Sequence, residues 1–491
     1  MLKMRNVLSS GRFFLEVEGE GDTSAAGFKR RRRDIKIRHG GHPSQKFSHF
    51  CGMAPWFVRF SGYFLAGLPM LRILHTADWH LGQSFHGFDR DREHAIFLDW
   101  LVSIIRERRA DALIITGDVF DSVNPSAGAQ RRFFDFLARA HSEAPSLQII
   151  VIAGNHDAGA RLEAPAGLFA SLNIKAVGTI TRDSAGEVNY EKFLIPLKDA
   201  SGSVRVIVVA VPFLRPADVP IVSESSDGYL AGIREFYRRA TQAAGSLRDH
   251  QYPNAVLIAL GHCHVADAVE SRESERRIVI GGEEALKADS FGQEVAYVAL
   301  GHLHKPQEME DGRICYPGSP IPLSFSERDF IHRVVEVTFD GSGRSSIQSH
   351  PVPNGAMLLR IPADGVARPI GEILQLIRRE TFHPGPCPDA FPFLEVRILD
   401  DGPDPTRRRA VEEALEGKPV RLASIRLEPL VRSAWMSGAD EALASGLANL
   451  GSLDPEEIMR AAHMERYRSE PDASVLAVLR EVLASEAANA K

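Results

Sequence analysis

The chain reads as an α/β protein built around a mostly parallel sheet, on three observations. From Leu71 onward, apolar runs of strand length alternate with stretches of helical periodicity. Each apolar run ends in a polar loop. The run Leu113-Ile-Ile115 is unbroken, as suits a strand buried on both faces. It lies within Asp111–Asp121, where Gly117 lets the backbone turn sharply and leaves Asp118 at the strand's carboxyl end. Open α/β sheets bind ligands at that edge. A chain of 491 residues exceeds one compact core, so two or more domains are expected.

In order, the spacing predicts a strand at Leu71–His75 and the polar loop Thr76–Gly82. A helix follows, with Ile96/Phe97, Trp100/Leu101 and Ile104/Ile105 at three- and four-residue intervals. After the Asp118 strand comes a helix carrying Phe133, Phe134 and Leu137, and then a strand at Gln148–Ala153. Further strands are expected at Val204–Val211 and Ala255–Leu260, with a helix through Leu230, Ile233 and Phe236 between them. Others are expected at Val295–Leu300, Arg313–Tyr316 and His332–Phe339.

The expected division is a leader at 1–69, a main domain at 70–340, a smaller α/β segment at 341–432, a linker at 433–451 and helices at 452–491. The leader holds the basic run Lys29–Arg33 but no sustained periodicity, and reads as disordered or as upstream sequence before a start at Met70. The smaller segment has a strand at Phe393–Ile398 and a helix at Thr406–Glu416. Beyond the Ala-, Gly- and Ser-rich linker, Asp454, Pro455 and Glu457 form a helix-start pattern. A final helix carries Val475, Val478/Leu479 and Val482/Leu483.

Composition excludes several classes. No apolar run reaches membrane-spanning length without a charge. The four cysteines stand far apart without CxxC spacing, which argues against a disulfide framework or zinc-thiolate site and fits a reducing cytoplasm. A formal charge of −6 gives no global nucleic-acid signal, so any such contact is local. Arg90, Arg92, Arg131 and Arg132 are candidates for phosphate contact, although a charged helix face is ordinarily just solvated.

Five strand ends deliver one kind of residue: Asp78-Trp-His80, Gly117-Asp118, Gly154-Asn-His-Asp157, Gly261-His262 and Gly301-His-Leu-His304. Singly each is an ordinary turn, cap or surface histidine. Jointly they would require five independent strands to end in oxygen and imidazole donors by chance. The mixture suits manganese, iron or zinc rather than calcium. The donors suffice for two divalent ions, one carboxylate bridging them at the ~3.5–4 Å of two-metal phosphoester hydrolases.

The order DxH, GD, GNHD, GH, GHxH resembles the calcineurin-like metallophosphoesterases. Closer still, Ile73–Gly82, Phe97–Leu101, Thr116–Asp121, Ala299–His304 and Tyr316–Glu327 resemble the SbcD family of bacterial nuclease subunits. The resemblance covers roughly Met70 to Leu422. It implies a four-layer metallophosphoesterase β-sandwich flanked by helices, with a smaller α/β capping domain and C-terminal helices.

It implies one ion on Asp78, His80, Asp118 and His304, and another on Asp118, Asn155, His262 and His302. His156 would face the substrate phosphate, with Asp157 orienting it. His264 offers a second histidine beside His262 and is read as structural. Asp121 stands where many archaeal and eukaryotic relatives carry histidine. The resemblance further implies manganese, DNA as substrate, an SbcC-like SMC-type ATPase as partner and a homodimer in the cytoplasm. The activity implied is 3′–5′ duplex exonuclease and single-strand or hairpin endonuclease action in recombination, replication and repair. The alternatives are a phosphoesterase for small phosphomonoesters or cyclic nucleotides, and a DNA-tethering subunit without catalysis.

Overall fold

The computed structural model describes residues 3–9, 12–18, 70–222, 228–269, 285–340, 343–353 and 355–429, with isolated positions elsewhere. Two compact units divide the chain, Met1–Tyr63 and Phe64–Lys491. In the first, Lys3–Ser9 pairs antiparallel with Arg12–Glu18, Val7 lying opposite Phe14. The reading of the leader included no such hairpin. The basic run Lys29–Arg33 lies outside the described residues, as do the linker and most of the terminal helices. Among the described residues no helix is long and apolar enough to cross a membrane.

The second unit stacks two six-stranded sheets. In the first sheet the order is Gly343–Pro351, Arg333–Asp340, Leu71–Thr76, Ala112–Thr116, Gln148–Ile152 and Ile174–Val177. Its last four strands run parallel. In the second the order is Gln307–Met309, Ile314–Tyr316, Val295–Gly301, Val256–His262, Val204–Ala210 and Leu194–Lys198, with the middle four parallel. The facing sides meet in one core, Ile73, Ile114 and Ile150 from one sheet and Val208, Ile258 and Tyr297 from the other. The helix Gly228–Gln251 covers the second sheet through Phe236, Tyr237 and Ala240. Helices Asp91–Arg108 and Ala127–Glu143 cover the first, completing the helix–sheet–sheet–helix layers.

Most expected elements are present, with three differences. On the first covering helix the buried stripe is Phe97/Leu98, Leu101/Val102 and the expected Ile104/Ile105; the first two pairs sit one position round from the expected ones, and Ile96 and Trp100 are half-buried. On the second, Phe134 is exposed and Phe136 takes its place in the core. The strand Gly343–Pro351 pairs with Arg333–Asp340, so the chain leaves the first sheet after Pro351 and not at residue 340. Its sequence, GRSSIQSHP, is mostly polar because it is an edge strand that brings only Ile347 against the core.

The smaller segment is a βαβαβ unit of three parallel strands, Leu358–Ile361, Phe393–Asp400 and Arg421–Pro429. Helices Ile370–Arg379 and Arg407–Leu415 cover one face, closing over Leu394, Val396 and Ile398.

A histidine and its polar partners lie inside the two-sheet core. His75 is fully buried, with Nδ1 2.9 Å from the Tyr297 hydroxyl and Nε2 3.0 Å from Thr116 Oγ1. Burial, with the Arg333 charge adding to it, pulls its pKa down to about 3. The unfolded chain, with a histidine near 6.5, therefore binds one more proton between these values. Its contribution to stability is intact above pH 6.5 and lost as pH falls toward 3. Replacing His75 by Gln should flatten the acid limb of the stability profile by up to about 1.4 kcal/mol per pH unit, measured by urea unfolding from pH 7 to pH 4.

Candidate metal centre

The parallel strands of both sheets end on the same side of the molecule, and their loops meet across the seam. After Leu71–Thr76, the Trp79 side chain turns into the helix layer and packs edge-on against Phe97 at 5.4 Å and Phe136 at 5.2 Å. Its indole N–H donates to Thr76 Oγ1, and its carbonyl accepts from His94 Nε2 at 2.8 Å. The two residues beside it are thereby turned toward the seam. Asp78 and His80 hold left-handed backbone, at φ 54° and 47°, and Asp118 (48°) and His302 (96°) do the same. Such conformations are uncommon outside glycine and are tolerated where surroundings enforce them.

Gly117 and Gly154 clear the space for this convergence. A Cβ on Gly117 would stand 2.2 Å from His262 Nδ1, and one on Gly154 would stand 2.1 Å from Asp118 Oδ1.

Asp78 and Asp118 are buried at the centre. Asp118 Oδ1 accepts from the His156 backbone N–H at 2.9 Å, while Oδ2 lies 3.3 Å from His262 Nε2 and 3.6 Å from His80 Nε2. Asp78 Oδ1 accepts from the His302 backbone N–H at 2.9 Å. His262 reaches across the seam, its Nδ1 2.9 Å from the Thr116 carbonyl and its Nε2 2.9 Å from Asn155 Oδ1. The His302 ring stands edge-on to that of His262, with centroids 5.4 Å apart.

Three groups of donors fall within coordinating reach: Asp78, His80 and His304; Asp78, Asp118 and His262; and His80, Asp121 and His156. Of the expected residues, Asp78, His80, Asp118, His156, His262 and His304 fall in these groups, Asn155 meets His262 by its hydrogen bond, and His302 belongs to none of the three; the first two groups share Asp78 and not the expected Asp118. His264 stands apart from all three, half-buried, its carbonyl accepting from the Leu286 N–H.

The electrostatics are those of a desolvated cluster. Burial pushes the Asp78 carboxyl up, against the pull of His262. Burial acts on Asp118 in the same direction, but the His262 charge and hydrogen bond outweigh it and hold the carboxyl well below its usual range. Burial alone would lower the His262 pKa; the Asp118 charge and hydrogen bond, with the Asp78 charge, push it up to about 9. His302, buried beside that cation, is held well below the ordinary histidine value.

Asp78 Oδ2 and His80 Nε2 are buried here without a hydrogen-bond partner. Leaving a buried polar atom unsatisfied costs roughly 1–3 kcal/mol. A carboxylate oxygen and an imidazole nitrogen left without a hydrogen bond in one carboxylate and imidazole cluster fit divalent-metal ligation.

Some residues had no role assigned from sequence. Asp121 Oδ1 lies 3.2 Å from His80 Nδ1, and its carbonyl accepts from His156 Nδ1 at 2.8 Å. Glu327, fully buried, lies 3.0 Å from His304 Nδ1 through Oε1. Asp157, the residue expected to orient His156, accepts from the backbone N–H groups of Val119, Phe120 and Gly154 at 3.2, 3.0 and 2.9 Å. The arginine candidates divide: Arg90 is wholly buried, Arg132 pairs with Asp91 at 2.6 Å, and Arg131 is exposed. Arg90 is therefore no phosphate contact.

The calcineurin-like phosphoesterase family matches residues 71–306, and the type 5 capsule protein repressor C-terminal domain matches residues 357–467. Fold and site define a calcineurin-like phosphoesterase that binds divalent metal. The chain is 40% identical over 366 residues to SbcD of the SbcCD nuclease of Rhodobacter capsulatus, covering 73% of this chain and 87% of that one. It is 36% identical over 293 residues to the Escherichia coli K12 protein of the same name, covering 58% and 68%, and 33% identical over 333 residues to that of Bacillus subtilis, covering 67% and 80%. The chain belongs to the SbcD family of SbcCD nucleases and is a nuclease that hydrolyses phosphodiesters.

Ion loading should displace a proton. His262, an expected ligand, is held in its charged form at pH 7 by the Asp118 carboxylate beside it, whereas a ligating imidazole must be neutral. Calorimetric titration with manganese at pH 7, in two buffers of different ionisation enthalpy, should report release of about one proton per protein. Apparent affinity should rise with pH up to about 9.

Proposed function

We propose that this chain is the nuclease component of a DNA-end-processing complex, using two divalent ions, manganese by preference. The ions would be held by Asp78, His80, Asp118 and His304, and by Asp118, Asn155, His262 and His302. The observation that carries this reading is the convergence of five strand ends from two sheets on one buried seam, with a carboxylate oxygen and an imidazole nitrogen left without a hydrogen bond there. Bound ions of this kind supply Lewis-acid charge and lower the pKa of water.

The remaining chemistry belongs to the side chains. Asp118 Oδ2 stands 3.6 Å from His80 Nε2 and 3.3 Å from His262 Nε2, one histidine of each proposed set, so Asp118 is the proposed bridge. His156 donates its Nδ1 proton to the Asp121 carbonyl, which sets the ring's orientation. A proton on its Nε2 would then stabilise charge on the phosphate and pass to the leaving 3′ oxygen as the phosphorus–oxygen bond breaks. Asp157 braces the loop that carries His156. Duplex ends would be degraded 3′ to 5′, and single strands and hairpins cut internally, in recombination, replication and repair. Contacts to DNA would be chiefly to phosphate, since an end-processing nuclease needs position and not sequence.

As partners we propose an SbcC-like SMC-type ATPase, gripped by the region from Asp454 onward, and a second copy of this chain, in the cytoplasm. The three-stranded unit is read as a capping domain beside the nuclease body.

Two experiments test this reading. Asp118→Asn should weaken both ions, whereas His156→Ala should keep them and lose at least about 100-fold in cleavage, the scale of a lost general acid. Metal analysis of both purified variants, with manganese-dependent cleavage of labelled duplex and single-stranded DNA, reads the difference. Equal metal loss in the two removes the separate role of His156. Ending the chain at Gly451 should abolish co-elution with an SbcC-like ATPase on gel filtration while single-strand cleavage survives.

A further inference from the structure

The stretch Tyr316–Glu327 supplies none of the proposed ligands, yet it is pressed against one of them. His304 Nδ1 lies 3.0 Å from Glu327 Oε1, and the His304 carbonyl accepts from the Ser319 N–H at 3.2 Å. The other Glu327 oxygen accepts from Ser319 Oγ at 3.0 Å and from the Leu323 N–H at 2.9 Å. A carboxylate fixed by three donors, one of them the ring, holds the proton on Nδ1, presents Nε2 and makes it a better donor to a cation.

The outer side of this loop is gripped from two directions. From the nuclease body, Gln83 Nε2 donates to the Leu323 carbonyl at 3.1 Å and Arg90 Nη1 to the Pro322 carbonyl at 2.9 Å. From the three-stranded sheet, Arg360 Nη2 donates to the Phe325 carbonyl at 3.3 Å. Arg90 also ties the two together. Its guanidinium stands 4.9 Å from the centroid of the Phe85 ring and 5.4 Å from that of Phe393, the first residue of the sheet's central strand. Phe325 packs on Phe85 at 5.2 Å, and Phe85 on Phe393 at 4.9 Å.

We propose that the loop Ser319–Glu327 transmits the seating of the three-stranded sheet to His304, with Glu327 and Arg360 as positioning residues for one of the two ions. The proposal rests on reading His304 as a ligand. It predicts an asymmetry. The Asp78, His80 and His304 group leans on this loop, whereas His262 leans on the Thr116 carbonyl and Asp118 on the backbone N–H of His156. Disturbing the sheet's seat should therefore loosen one ion and spare the other.

The test uses the full chain and manganese alone as probe, by calorimetric titration. Wild type should take up two ions. Glu327→Gln should weaken one of them by 10- to 100-fold, the usual effect of removing a partner behind a ligating histidine, and leave the other within about twofold. Arg360→Met leaves Glu395 its ion pairs with Arg397 and Arg426 at 3.0 and 2.8 Å, so it keeps the proposal testable should the Glu327 variant fail to fold. It should weaken the same ion. It should also raise the manganese concentration for half-maximal DNA cleavage while leaving the rate at saturating manganese within about twofold. Equal weakening of both ions in Glu327→Gln, or an unchanged half-saturation in Arg360→Met, overturns the proposal and leaves the ligand assignment standing. A wild-type protein that binds no manganese overturns the assignment itself.

Discussion

Two carboxylates, Asp78 and Asp118, stand out of water at the seam of two sheets, and much of the surrounding structure answers to that. A buried carboxylate costs several kcal/mol unless charge and hydrogen bonds meet it. The compensation comes from across the seam. The second sheet sends His262 to Asp118 and the His302 N–H to Asp78, while the first returns the Thr116 carbonyl to His262. The first sheet could not bury its two acids alone, which is why the parallel strands of both sheets end on one side.

The site was legible in the sequence because each strand end carries its donors within four residues of a glycine or of the strand itself. DxH, GD, GNHD, GH and GHxH are local patterns, and the folding rule that brings them together is simple: parallel strands share a carboxyl edge. Trp79, the unremarked middle of DxH, is what gives that pattern its geometry, by turning its two neighbours the other way.

The residues that escaped notice act at long range. Glu327 lies 23 positions from His304, and nothing in Phe-Ser-Glu marks it as a partner for a histidine. Arg90 looks like one more surface cation on a charged helix start, yet it is buried between two phenylalanine rings, one of them 303 positions away in sequence (393 − 90). Edge strands escaped for a different reason. Leu194–Lys198 carries a proline and Gly343–Pro351 is mostly polar, because neither has to fill a core on both faces. Such positions take their identity from what packs against them, and the sequence records that only as residues of no special kind.

The three N–H bonds to Asp157 have a mechanical consequence. They join the loop after Ala112–Thr116 to the loop after Gln148–Ile152, because Val119 and Phe120 belong to one and Gly154 to the other. Separating Asn155 from Asp118 would mean breaking charge-assisted bonds in a pocket closed to water, where each is worth more than at a surface. The two loops therefore travel as a single plate. A change in the spacing of Asn155 and Asp118 would need these bonds to break first.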